Sequence, residues 1–139
     1  MTKVTVATKL LAPADEVWRL VGGWNGLPSW HPAVETSVIE DGGHRRRVKL
    51  ADGSEITEQL EKFDGEAKTY TYSIVASTLP LRDYRSTITV AREGEKSTIE
   101  WSTTFKPMGL PETELTRMLE QFYQAGFDNL RKLLGTSRT

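Results

Sequence analysis

The sequence predicts an α+β domain in which a curved, seven-stranded antiparallel sheet wraps around one long C-terminal helix, with two short helices after the first strand. Three observations carry this. Residues 33–106 read as strands broken by Asp-Gly steps, the strongest short-range hairpin signal. Residues 112–134 place Leu115, Met118, Leu119, Phe122, Tyr123, Phe127, Leu130, Leu133 and Leu134 at helical spacing over more than six turns. Residues 3–11 alternate polar and apolar side chains, as a half-buried strand does.

The elements follow in order. In KVTVATKLL, Val4, Val6, Thr8 and Leu10 share one face, and Pro13 stops the strand where a helix begins. Asp15 and Glu16 complement the positive end of that helix dipole; Val17, Leu20 and Val21 form its apolar stripe, and Gly22-Gly23 ends it. WNGLPSWHP, with two prolines and Gly26, predicts a short, irregular or single-turn helix. Strands are then expected over 33–40, 44–50, 54–63 and 67–76 as a meander, its turns at Asp41-Gly42, Asp52-Gly53 and Asp64-Gly65. A longer connection over 77–81 precedes a hairpin of 82–93 and 97–107 across Gly94. The chain is expected to be one domain over residues 1–135, with 136–139 as a frayed tail.

Composition excludes several function classes. The 139 residues hold no cysteine and two histidines, which removes thiol nucleophiles, disulfides and zinc-thiolate sites, so no metal and no cofactor is expected. A net charge of -1 gives no general attraction to nucleic acid or anionic membrane. The basic run His44-Arg45-Arg46-Arg47 alternates faces in a strand, and Glu40 and Asp41 neutralise it locally. No apolar stretch reaches the ~20 residues of a membrane span, and the N-terminus lacks a signal-peptide apolar block. A cytoplasmic protein, monomeric or weakly homodimeric, is the expectation. Neither a phosphate loop nor a metalloprotease motif occurs, and there is no internal repeat.

The element order, together with LPSWHPAV, DGSEITEQLEKFD, YTYSI and the pair LP followed by DYRSTITV, resembles the polyketide cyclase/dehydratase-like branch of the START and birch-pollen-allergen superfamily. The resemblance spans essentially the whole chain. It implies the helix-grip fold and a cavity between sheet and helix that holds an apolar or amphipathic small molecule. It does not imply one substrate, because function belongs to the site and not to the fold. No catalytic motif of that family can be placed residue by residue on this chain.

The candidate site residues come from strand parity. Tyr70, Tyr72 and Ile74 share a face, as do Tyr84, Ser86, Ile88 and Val90, and Ile99, Trp101, Thr103 and Phe105. With Trp24, Trp30, Met118 and Phe122 these are expected either to line a ligand cavity or to fill a core against each other. His31 stands either at a cavity mouth, as hydrogen-bond donor or general base, or as a structural residue held extended by Pro32. Glu58 shares parity with Ile56 and Leu60, which points its carboxylate inward, where Arg46 on the preceding strand is its natural partner; the alternative is an ion pair at the solvent edge.

Three functions follow from this. The first is a binding protein for one small hydrophobic or aromatic molecule, lipid- or polyketide-like, entering near WNGLPSWHP and the 77–81 connection. The second is a cofactor-independent cyclase or dehydratase with His31, Glu58 or Tyr72 as acid-base groups. The third, an interaction module using the outer helix face, meets a surface charged by Glu112, Glu114, Arg117 and Glu120.

Overall fold

In a computed structural model, which describes residues 1–134, the chain forms seven strands and three α-helices. The expected tail at 136–139 and the last residue of the expected domain lie outside the described residues. Strand β1 (Thr2–Leu10) leads into α1 (Ala14–Val21) and α2 (Leu27–Trp30). Strands β2 (Val34–Glu40), β3 (Arg45–Leu50), β4 (Glu55–Asp64), β5 (Thr69–Ser77), β6 (Leu81–Glu93) and β7 (Lys96–Pro107) follow, and α3 (Glu112–Leu133) closes the chain. The single antiparallel sheet runs β1-β7-β6-β5-β4-β3-β2, so the first strand joins the last and β1 and β2 are its edges.

The turns differ in detail from their common Asp-Gly spelling. Only Asp41-Gly42 places both residues at positive φ, 51° and 65°, as a type I′ geometry requires. At 52–53 only Gly53 is left-handed, and at 64–68 Lys68 takes the positive φ in place of Gly65. There the Asp64 carboxylate accepts from the amides of Glu66 and Ala67, an Asx turn that lengthens the loop.

Bulges set which side chains point inward. On β6 the register slips between Arg82 and Arg85, with Asp83 at φ 54°. One extra residue therefore lets both Leu81 and Tyr84 face the interior, and the alternation Tyr84, Ser86, Ile88, Val90 continues buried from there. A second slip, opposite Glu58 on β4, pushes Val75 of β5 out to 43 % exposure and leaves Ile74 inside.

Helix α3 crosses the concave face and is fastened at its C-terminal half. Asn129 Nδ2 donates to the Trp30 carbonyl at 2.9 Å, and Arg131 donates to Thr8 Oγ1 of β1. Gly126 is buried against α2, where a Cβ would stand 2.7 Å from His31 Cδ2 and 2.9 Å from the Trp30 ring. Both neighbours are ring atoms of fully buried side chains with nowhere to swing. Gly126→Ala gains about 1 kcal/mol of helix propensity but overpacks this crossing by about 1–3 kcal/mol. We expect a net loss of stability, read as a lower denaturant midpoint at unchanged m-value.

Candidate functional site

The sheet and the N-terminal half of α3 stand apart between Leu115, which is buried in the core, and Phe122, which meets Trp101 edge-on. Between them lies a cavity of about 200 Å³. Its floor is β3 to β5, through Val48, Leu50, Ile56, Glu58, Tyr72 and Ile74, while Tyr84 and Trp101 stand at the back. Met118, Leu119 and Phe122 of α3 form the roof, and Leu27 of α2 closes one side. Asp52 in the β3–β4 turn, Leu79 in the β5–β6 loop and Met118, 46 % exposed, mark the mouth.

Six of the residues expected from the sequence therefore line this space: Glu58, Tyr72, Tyr84, Trp101, Met118 and Phe122. The structure places the other six elsewhere. Trp30 and His31 lie between α2 and α3, Phe105 is in the core, and Trp24, Arg46 and Tyr70 form a cluster behind Glu58. The aliphatic half of the wall carried a weaker signal: Val48 and Leu50 share parity with Arg46, and Ile56 with Glu58.

His31 is not at a cavity mouth. It is buried, its ring stacked on Phe122 at 4.0 Å between centroids. Its Nδ1 accepts from the Ala33 amide at 3.1 Å, so the proton sits on Nε2, which donates to the Phe122 carbonyl at 2.7 Å. Both nitrogens are thus engaged, Nε2 in tying the end of α2 to α3 and Nδ1 in bracing the local turn at Ala33. Pro32 and the extended backbone (φ -107°, ψ 116°) hold the ring there, the structural alternative read from the sequence.

Glu58 and Arg46 sit directly opposite each other in the β3–β4 register, and Arg46 Nε donates to Glu58 Oε1 at 2.8 Å. They are 7 % and 0 % exposed, so this is an interior pair and not a solvent-edge one. Arg46 Nη1 donates to the Trp24 carbonyl, and the guanidinium lies 3.9 Å over the Trp24 ring, a desolvated cation–π contact. Among the described residues, Arg46 Nη2 and the Tyr70 hydroxyl are buried without a hydrogen-bond partner of regular geometry, although Arg46 acts on the Tyr70 phenol. Burial pushes the Glu58 carboxyl up, against the opposing pull of Arg46.

A second polar feature runs from the cavity wall into the sheet. Trp101 Nε1 donates to the Tyr72 hydroxyl at 3.0 Å, and the Trp101 ring stacks on Tyr123 at 4.2 Å. The Tyr84 and Tyr123 hydroxyls are 2.5 Å apart, Tyr123 and Thr103 2.5 Å, and Thr103 and Ser86 2.7 Å; Ser86 Oγ then donates to the Ser102 carbonyl. Burial raises the phenols of Tyr70, Tyr72, Tyr84 and Tyr123, so all four are neutral near pH 7.

With this geometry in view, the comparisons are informative. A family model described as polyketide cyclase / dehydrase and lipid transport matches residues 1–135. The chain belongs to that family. The protein XoxI from Bacillus cereus has a structure similar to this one: 34% identity, TM-score 0.93, covering 96% of this chain and 95% of that one. An uncharacterised Bacillus thuringiensis protein shows 34% identity and a TM-score of 0.91 over 95% and 98% of the two chains. The di-domain ARO/CYC BexL, from the BE-7585A biosynthetic pathway, shares the fold at 19% identity, with a TM-score of 0.80 over 95% of this chain and 46% of that one. No functionally curated protein matches. No helix among the described residues of this family member is long and apolar enough to cross a membrane.

Two predictions follow from the buried polar groups. Arg46→Met leaves Glu58 ionisable without its partner inside the sheet, and we expect a loss of about 3–5 kcal/mol by denaturant unfolding. Adding Glu58→Leu to that variant restores most of it. For His31, burial is the main cause holding the imidazole below its ordinary 6.5. The unfolded chain therefore binds a proton first, and the His31 contribution is complete above pH 6.5 and shrinks as pH falls toward the lowered folded value. Glu58, raised from 4.5, acts with the opposite sign, but wild type and His31→Gln share it. The stability difference between these two proteins should narrow as pH drops below 6.5; a difference constant with pH would remove His31 from the linkage.

Proposed function

We propose that the protein binds one small hydrophobic or aromatic molecule in the cavity between the sheet and α3. The observation that carries this is a space of about 200 Å³ walled by aliphatic and aromatic side chains, with a few polar groups converging on it. Size narrows the class. An apolar cavity of about 150 Å³ accepts benzene, so this one suits a single substituted ring or a short branched chain. A sterol or a long acyl chain would require α3 to move away from the sheet. The mouth at Asp52, Leu79 and Met118 supports entry beside the 77–81 connection; the WNGLPSWHP segment contributes only Leu27 to the wall.

One observation favours a second reading, a cofactor-independent cyclase or dehydratase. Glu58, with its carboxyl raised by burial, lines the same cavity as Tyr72, and the two would serve as proton-transfer groups. His31 has no part in that version, since its nitrogens are committed to the backbone.

A cavity-filling variant tests the proposal. Leu119→Trp is expected to weaken the binding of toluene or p-cresol, followed through the Trp101 indole resonance, by tenfold or more on the order expected for a lost apolar pocket. Its melting temperature should stay within a few degrees of wild type. Equal binding by both proteins would place the ligand elsewhere. Mass analysis of the released probe or of a short poly-ketone separates the readings: unchanged material supports carriage, and loss of water or ring closure supports catalysis.

A further inference from the structure

We infer that the cavity selects a neutral ligand carrying a hydroxyl group and rejects the carboxylate of the same shape, a selectivity that rests on the binding role proposed above. The donors and acceptors around the space set this preference.

The charged groups lining it are Glu58 and Asp52, both acidic. The cation that compensates Glu58 is out of reach. Arg46 is 0 % exposed and is not part of the cavity wall: its Nε is spent on Glu58 Oε1 and its Nη1 on the Trp24 carbonyl, the Trp24 ring covers its face, and its unbonded Nη2 is buried in the cluster with Tyr70. An anionic ligand would therefore meet two carboxylates and no accessible positive charge, in surroundings where charge is poorly screened. A carboxyl raised by burial points the same way: the site already tolerates one negative charge with difficulty.

The hydroxyls add direction. Ser86 has one proton, and the Ser102 carbonyl can only accept it. Thr103 must then donate to Ser86, Tyr123 to Thr103, and Tyr84 to Tyr123. The Tyr84 proton is thus directed into the core toward Tyr123, and its oxygen keeps a lone pair for another donor. Trp101 Nε1, the indole donor on the cavity wall, is taken by the Tyr72 oxygen, and the Tyr72 proton is left facing the Tyr84 oxygen without a regular hydrogen bond, so a ligand hydroxyl that inserts between the two phenols accepts from Tyr72. Glu58 has one oxygen held by Arg46, and no side chain among the described residues is placed on the other.

A ligand thus meets one phenol donor and two acceptors. A hydroxyl accepts from Tyr72 and donates to Tyr84 or Glu58. A carboxylate, with acceptors alone, satisfies Tyr72 and leaves its remaining lone pairs against those of Tyr84 and Glu58. An ammonium group finds acceptors but has nothing for Tyr72, and loses its hydration in a largely apolar space.

Toluene, benzyl alcohol, benzyl methyl ether and benzoate, titrated into the full chain at pH 7.5 with the Trp101 indole resonance as readout, decide the matter. The alcohol is expected to bind at least about tenfold tighter than benzoate and about fivefold tighter than its methyl ether, the scale of one hydrogen bond. Glu58→Gln should relax the discrimination against benzoate to within about threefold. Should that variant unfold, Tyr84→Phe serves instead: it should reduce the preference for alcohol over ether to about twofold, Glu58 remaining as the other acceptor, and an undiminished preference removes Tyr84 from the selectivity. Benzoate binding as tightly as the alcohol, or an ether as good as the alcohol, overturns the selectivity and leaves the cavity's binding role standing. If toluene also fails to bind, both fall together.

Discussion

Helix α3 is held tightly at one end and loosely at the other, and the cavity exists because of that asymmetry. Gly126 lets the helix descend onto Trp30 and His31, His31 and Asn129 add hydrogen bonds across the crossing, and Arg131 reaches β1. Along this half Tyr123, Phe127 and Leu130 are buried. Toward the N-terminal half only Leu115 is fully buried, while Met118, Leu119 and Phe122 border the cavity, Phe122 with one face stacked on His31. A sheet this strongly bulged cannot follow a straight helix along its whole length, so close contact at one end opens a gap at the other.

The polar residues inside the sheet are harder to explain by stability. A buried ion pair contributes little net stability, because desolvation consumes most of the Coulomb attraction, and an apolar pair of similar volume often does as well. Arg46 and Glu58 nevertheless occupy directly opposed positions in the middle of the inner face, with the guanidinium roofed by Trp24. What an apolar pair would not supply is a fixed carboxylate at the floor of the cavity. The hydroxyl chain behind Tyr84 has the same character. Ser86, Thr103 and Tyr123 satisfy each other within the core, and the consequence for the cavity is the orientation of one phenol.

How much of this the sequence disclosed varies with the physics behind each feature. Strand number, the long helix and the inward parity of Glu58 were legible because they rest on short-range periodicity, and the register then set Arg46 opposite. Tyr84 was correctly read as inward, although the Asp83 bulge that aligns it with Leu81 leaves no signature in alternation alone. Trp30, Phe105 and Tyr70 were read, from aromatic character and strand parity, as either cavity lining or core, because whether an inward ring faces a cavity or another ring depends on helix placement, a long-range property. Gly126 was a single small residue in an otherwise regular stripe, and its meaning appears only when Trp30 and His31 are seen beneath it.

The cavity leaves apolar side chains of the sheet and of α3 without packing partners on one side, contacts that a filled core would supply. Larger aliphatic side chains at Ile74 or Leu119 would recover many of them without altering the fold. A molecule that binds the folded chain restores the same contacts from outside, and its contribution grows with concentration as linkage requires. On the binding role proposed above, the gap and the acceptors that face it act together, as one surface for a guest that brings its own apolar bulk and a single hydroxyl.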